Sequence, residues 1–168
     1  GVFRAVPAMQ QTDGPTSCQV WVRAGSYSPT QGTGDQSTFA LQDNVHLYGG
    51  FSTTALTFDA RDWENNETIL DGGGSSDHVV TAADNTTLDG FTVTGGVAYT
   101  TETGGMDGAG ILVPAASAFT GRNLQIEYNQ ARGLGGGVYV DDAADVTFEN
   151  CNFLENDTEG TGGAIYFE

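Results

Sequence analysis

The sequence predicts an all-β fold: a right-handed parallel β-helix, a solenoid of about 27 residues per coil in its C-terminal part. Three observations predict it. First, Gly108-Ala-Gly-Ile-Leu-Val113 recurs as Gly135-Gly-Gly-Val-Tyr-Val140 and as Gly162-Gly-Ala-Ile-Tyr-Phe167, 27 residues apart each time. Second, Asn123-Leu-Gln-Ile126-Glu-Tyr-Asn129 recurs at the same offset as Asn150-Cys-Asn-Phe153-Leu-Glu-Asn156. Third, the remaining apolar segments are short and bounded by turn residues, with no helical period between them, which excludes helical solenoids and βαβ units. A propeller needs longer blades of antiparallel strands, and its Asn-Gly hairpin signals are missing.

In such a coil, equivalent residues stack about 4.8 Å apart. Ile111, Val138 and Ile165 then form one inward column, and Val113, Val140 and Phe167 the next. Phe91, Leu124 and Cys151 form a third, and Val93, Ile126 and Phe153 a fourth. Leu112, Tyr139 and Tyr166 fall between inward positions and point outward. Asn123 stacks on Asn150, and Asn129 on Asn156, as a turn ladder. Asparagine suits a corner because it tolerates left-handed backbone and its amide can bond the next coil.

Taken from the start, residues 1–17 are irregular. Val2, Phe3, Val6 and Met9 allow a helical turn or two interrupted by Pro7, and the segment is expected to cap the first coil. The β-helix is expected over 18–168. Cys18 to Ala24 alternates as a strand; Ser37 to Gln42 and Asn44 to Tyr48 follow. Residues 51–66 form an irregular excursion, whose Phe51, Leu56, Phe58 and Trp63 call for burial against the coil. Glu67 to Asp71 and Asp77 to Thr81 are short strands around a Gly72-Gly-Gly74 turn. Phe91 and Val93 match Leu124 and Ile126 at an offset of 33, so a loop insertion of six residues is placed near 95–107.

Composition narrows the function. The 168 residues include 25 Gly and 4 Pro, and 22 acidic against five basic residues, all Arg, give a formal net charge of −17. Phosphate would be repelled, which argues against nucleic acid and anionic membrane as partners. No apolar run reaches the length of a membrane span. Residue 1 is Gly, which suggests a processed product or a fragment.

The paired motifs carry a resemblance. Gly162-Gly-Ala-Ile165 and Phe153-Leu-Glu-Asn156 match the GGA(I/L/V) and FxxN motifs of the polymorphic membrane protein repeats in bacterial autotransporter passengers. Gly135-Gly-Gly-Val138, Ile126-Glu-Tyr-Asn129 and Gly108-Ala-Gly-Ile111 are degenerate copies. Val20 to Tyr27, Leu47 to Phe51, Arg61 to Glu64 and Thr68 to Gly72 resemble the opening of secreted bacterial β-helix proteins. The resemblance implies a scaffold at the bacterial cell surface or outside the cell, in some members an adhesin; the acidic faces of this chain are free to bind cations, a glycan or a host-surface protein.

Chemistry is sparse. Asp141 and Asp142 follow a strand, with Asp145 close by. Strand-end carboxylates are the residues a polysaccharide lyase or glycoside hydrolase would use. The Gly-His-Gly and Arg-x-Lys supports of pectin-degrading enzymes are missing, and His46 and His78 lie elsewhere. The same three aspartates could instead hold calcium, a hard cation that prefers several oxygens. Asn66, Asn85 and Asn156 begin N-x-S/T sequons, potential glycosylation sites. Cys18 and Cys151 lie too many coils apart to pair, so Cys151 reads as a core thiol, with an intermolecular bridge as the alternative. Finally, the strand edge at Ile165, Tyr166 and Phe167 suggests head-to-tail stacking into a filament, or continuation within a longer passenger. The leading expectation is an extracellular structural or adhesive module; the alternative is the carbohydrate-active enzyme.

Overall fold

A computed structural model describes residues 4–7, 17–29, 37–99 and 106–168. The chain is all-β, and its three main sheets are built from parallel pairs between successive circuits. The first sheet contains β2 (Cys18–Arg23), β5 (Val45–Phe51), β8 (Thr86–Asp89), β11 (Ala118–Arg122) and β15 (Asp145–Glu149), in that order. The second contains β3 (Gly25–Tyr27), β6 (Thr68–Ser76), β9 (Thr92–Ala98), β12 (Gln125–Glu127) and β16 (Asn152–Leu154). Beyond a corner, β13 (Gln130–Ala131) and β17 (Asp157–Thr158) continue from the second half of β9. The third sheet contains β4 (Phe39–Ala40), β7 (Val80–Thr81), β10 (Ile111–Val113), β14 (Val138–Val140) and β18 (Ile165–Phe167). Each circuit thus supplies one strand to each sheet, an arrangement consistent with a β-helix-like solenoid.

The register follows the repeat. Ile111 pairs with Val138 and Val138 with Ile165. Val93 pairs with Ile126 and Ile126 with Phe153. Ile111, Val138, Val93 and Ile126 are fully buried, because alternation turns every second side chain inward. In the final circuit Ile165 and Phe153 are only partly buried and Phe167 is 59% exposed. Tyr139 and Tyr166 stack outside, ring centroids 5.8 Å apart and nearly parallel. The Tyr139 hydroxyl donates to the Glu168 carboxylate, and this bond, followed by burial, pushes the phenol pKa upward.

Corners set the shape. Left-handed residues recur in columns: Gly90, Asn123 and Asn150 at one corner; Gly95, Tyr128 and Glu155 at the next; Gly108, Gly135 and Gly162 at a third. The turn ladder therefore divides into two kinds. Asn123 and Asn150 adopt left-handed backbone as expected. Asn129 and Asn156 do not; the residue before each takes the turn, and the amide points inward. Asn129 is 1% exposed. Its Nδ2 donates to Val93 O, Glu127 O and Asn156 Oδ1, each at 3.0 Å, and its Oδ1 accepts from Gly96 N at 3.0 Å. Asn156 repeats the role, with Nδ2 2.7 Å from Ile126 O.

These amides lie close to two glycines of the neighbouring corner. A Cβ on Gly110 would stand 2.9 Å from Asn129 Nδ2, and one on Gly137 would stand 3.1 Å from Asn156 Cγ. Both glycines align with Ala164 of the third copy, so this close approach belongs to the two inner copies.

Several expectations need correction. Arg4–Pro7 is a strand, β1, antiparallel to β2, rather than a helical turn. The rest of 1–16 lies outside the described residues. Gly72–Gly74 does not separate two strands: β6 runs through it, with a register shift between Asp71 and Ser76 and left-handed Gly73 and Gly74. The insertion begins later than residue 95, because Val97 and Ala98 still pair with Gln130 and Ala131. Gly133 N already bonds Met106 O at the 27-residue offset, so the six extra residues fall between Ala98 and Met106. Residues 100–105 within that interval lie outside the described residues. In the excursion, Phe51 is buried as the end of β5, but Leu56 is 76% exposed and Phe58 and Trp63 are each 38% exposed. Cys18 and Cys151 are both free thiols. Cys151 is half-buried rather than a core residue; it packs on the cluster from the last circuit, and burial raises its pKa.

Candidate functional site

The excursion after β5 makes the most distinctive surface. A 3-10 turn at Phe58–Ala60 leads into Arg61, which fastens the segment to the coils. Arg61 Nε donates to Gly49 O at 2.5 Å, and Nη2 donates to Asp89 Oδ1 at 2.5 Å. Asp89 also accepts from Asn123 Nδ2 at 2.8 Å. The Arg61 and Asp89 side chains are only 7% and 9% exposed, so the pair is poorly screened and its geometry is held firmly. Around the guanidinium stand the rings of Trp63 at 5.0 Å, Tyr48 at 5.6 Å and Phe58 at 5.9 Å, which is cation–π distance. Burial, then the Asp89 charge, raises the Tyr48 pKa.

From Arg61 the chain turns over the outer face of the second sheet. Asp62 N bonds Gly50 O at 2.9 Å, and Asp62 Oδ1 accepts from Asn65 N at 3.1 Å, closing a turn. The chain passes so close that a Cβ on Gly50 would lie 2.6 Å from Trp63 Cα. Gly50 N then donates to the buried Thr68 Oγ1 at 2.9 Å, which pins the start of β6.

Between this strap and the sheet lies a groove of about 600 Å³. Trp63, Glu64 and Asn65 form its wall. Its floor is the outward row of the sheet, Thr92, Gln125 and Asn152, which pair in register across three circuits. Glu67 stands at one side, with Oε1 3.3 Å from the Thr92 hydroxyl. Asn123 and Asn150 border the corner, joined by Asn150 Nδ2 to Asn123 Oδ1 at 2.7 Å. Gln125 Nε2 donates to Glu127 Oε2 at 2.6 Å, which orients the floor amide. The lining thus combines amide donors and acceptors, carboxylate acceptors and one part-exposed indole.

The sequence-derived candidates fall in different places. Asp141, Asp142 and Asp145 lie at the corner entering β15, at the opposite end of that strand from the groove. Asp141 Oδ1 accepts from Asp142 N at 2.8 Å, a turn-forming bond. Among the described residues no group of three His, Cys, Asp or Glu is placed to hold a metal ion. The three sequon asparagines also differ. Asn85 is exposed, though its Nδ2 bonds Asn44 Oδ1 at 2.8 Å. Asn66 is half-buried, and the Nδ2 of Asn156 is committed to the interior at Ile126 O. A glycan on Asn156 would break the ladder. Of the turn ladder, Asn123 and Asn150 border the groove, while Asn129 and Asn156 serve the core.

Gln125, Asn152, Glu64 and Glu67 escaped selection from the sequence. The alternation in Gln125-Ile126-Glu127 marked Gln125 as outward. Only the fold-back of the strap turns that face into a groove.

No family model matches the chain, nor does any curated protein or solved structure. Among the described residues no helix is long and apolar enough to cross a membrane.

Proposed function

We propose that this chain is a right-handed parallel β-helix module that acts as an adhesive scaffold outside a bacterial cell. The groove under the strap is the observation that carries the adhesive reading. A rigid stack of paired strands holds it, and a nearly buried ion pair fixes its wall. Preorganised walls lose little conformational freedom when a ligand docks. The paired GGAI and FxxN motifs support the surface-scaffold reading by resemblance. The net charge of −17 suits solubility and repulsion of like-charged surfaces. Asp141 and Asp142, the residues that favoured an enzyme, stand apart from the groove.

Adhesion tests this reading. Beads coated with the chain are expected to attach to bacterial envelopes or epithelial cells more than beads coated with an unrelated protein of equal net charge. Equal attachment to every surface overturns it. Release of new reducing ends from a polysaccharide, abolished by Asp142→Asn, would establish the enzymatic reading instead.

A further inference from the structure

The groove's chemistry points to one class of ligand. Trp63 presents a part-exposed indole, and a flat apolar ring beside polar groups suits a ligand with an apolar face and a hydroxylated rim. Thr92, Gln125 and Asn152 form a row spaced by the strand separation, about 4.8 Å, in which the amides of Gln125 and Asn152 are the more open and Thr92, 8% exposed, donates its hydroxyl to Glu67. That spacing is close to the length of one pyranose unit. An amide both donates and accepts, so each can bridge neighbouring hydroxyls of a sugar. Glu64 and Glu67 add acceptors for sugar hydroxyl protons.

Charge narrows the class further. The two arginines beside the groove are engaged: Arg61 by Asp89 at 2.5 Å and Arg122 by Glu149 at 2.7 Å. A uronate or sulfated sugar would meet Glu64 and Glu67, and among the described residues that line the groove there is no arginine to receive it. A long apolar peptide would leave the floor amides without partners.

We infer that the groove binds a neutral oligosaccharide, with a sugar ring against Trp63 and its hydroxyls along Thr92, Gln125 and Asn152. The site is a shelf about three coils wide, the breadth of the paired row, so it spans a few sugar units. This inference rests on the adhesive reading and supplies its ligand.

Calorimetric titration of the chain tests it, using hexasaccharides of glucose, mannose, xylose and N-acetylglucosamine, with hexagalacturonate and calcium chloride as separate probes. At least one neutral hexasaccharide is expected to bind with a dissociation constant of about 1 mM or tighter. Trp63→Ala and, independently, the outward substitution Gln125→Ala should each weaken it about tenfold or more. Gln125 lies outside the core, so its variant keeps the fold if the former were lost. Binding by none of the neutral sugars, equal binding of hexagalacturonate, displacement of the bound hexasaccharide by calcium chloride, or affinity unchanged in both variants overturns the inference. Beads that still adhere when both groove variants are used would overturn it while leaving the adhesive reading standing. Beads that never adhere would remove that reading itself.

Discussion

Replacing Asn129 with alanine strikes the ladder at its most buried point. The two hydrogens of Nδ2, shared among Val93 O, Glu127 O and Asn156 Oδ1, are lost, as is the bond accepted from Gly96 N. The buried Gly96 N–H loses its acceptor, at about 1–3 kcal/mol. With the vacated volume added, the expected loss is about 3 kcal/mol. For a chain of this size that lowers Tm by about 6–12 °C. Asn129→Asp is a sharper probe. It preserves shape, but the oxygen that replaces Nδ2 faces three acceptors in a site 1% exposed. At pH 7 it should be worse than alanine, because the introduced carboxylate is buried without a cation. Burial raises the pKa of that carboxyl in the folded state. The penalty is therefore absent below its unfolded value, about 3.9, and grows as pH rises towards the folded one. The deficit against the parent should accordingly shrink on acidification. Thermal and urea unfolding, followed by circular dichroism from pH 4 to 7, measures both. A Tm for Asn129→Ala within about 2 °C of the parent, or an aspartate variant as stable as the alanine at pH 7, would refute the ladder's role.

Three further outcomes are expected. Gly137→Ala places a Cβ 2.5 Å from Ala164 O and should cost about 1–3 kcal/mol by urea unfolding. Gly163→Ala meets only Asn156 O at 3.1 Å and should cost clearly less. Arg61→Ala strands Asp89 and should destabilise by about 3 kcal/mol; amide exchange should speed up across residues 62–67 before it does in β11 or β15. His78 has its pKa lowered, chiefly by burial, from the usual 6.5. Its unfolded form takes up the proton first, so stability is complete above about pH 6.5 and falls below it. His78→Gln should flatten that acid limb of the stability curve.

Much of the architecture could be read from residue identities. The columns Ile111/Val138/Ile165 and Val93/Ile126/Phe153 pair in register because a fixed period forces equivalent residues into one stack. The upstream circuits were less legible. His46 pairs with Thr87, an offset of 41 that includes the strap, and no repeated phrase bridges it. Gly95–Gly96 suggested a loop, yet backbone hydrogen bonds continue to Ala98 irrespective of side chains. The motif asparagines suggested corner backbone; Asn129 and Asn156 instead work through their amides, since Tyr128 and Glu155 take the left-handed conformation. The groove was least legible. Its floor follows from alternation, but its wall depends on Arg61 reaching Gly49 and Asp89, a contact over 28 residues of chain that no local pattern encodes.

Residue-resolved NMR with a neutral hexasaccharide that binds tests the central claim most directly. The account predicts amide and side-chain shift changes at Trp63, Thr92, Gln125 and Asn152, with Tyr139, Tyr166 and Asp141 unmoved. Shifts concentrated on the Tyr139–Tyr166 face or at the Asp141–Asp142 corner, with the groove silent, would contradict it.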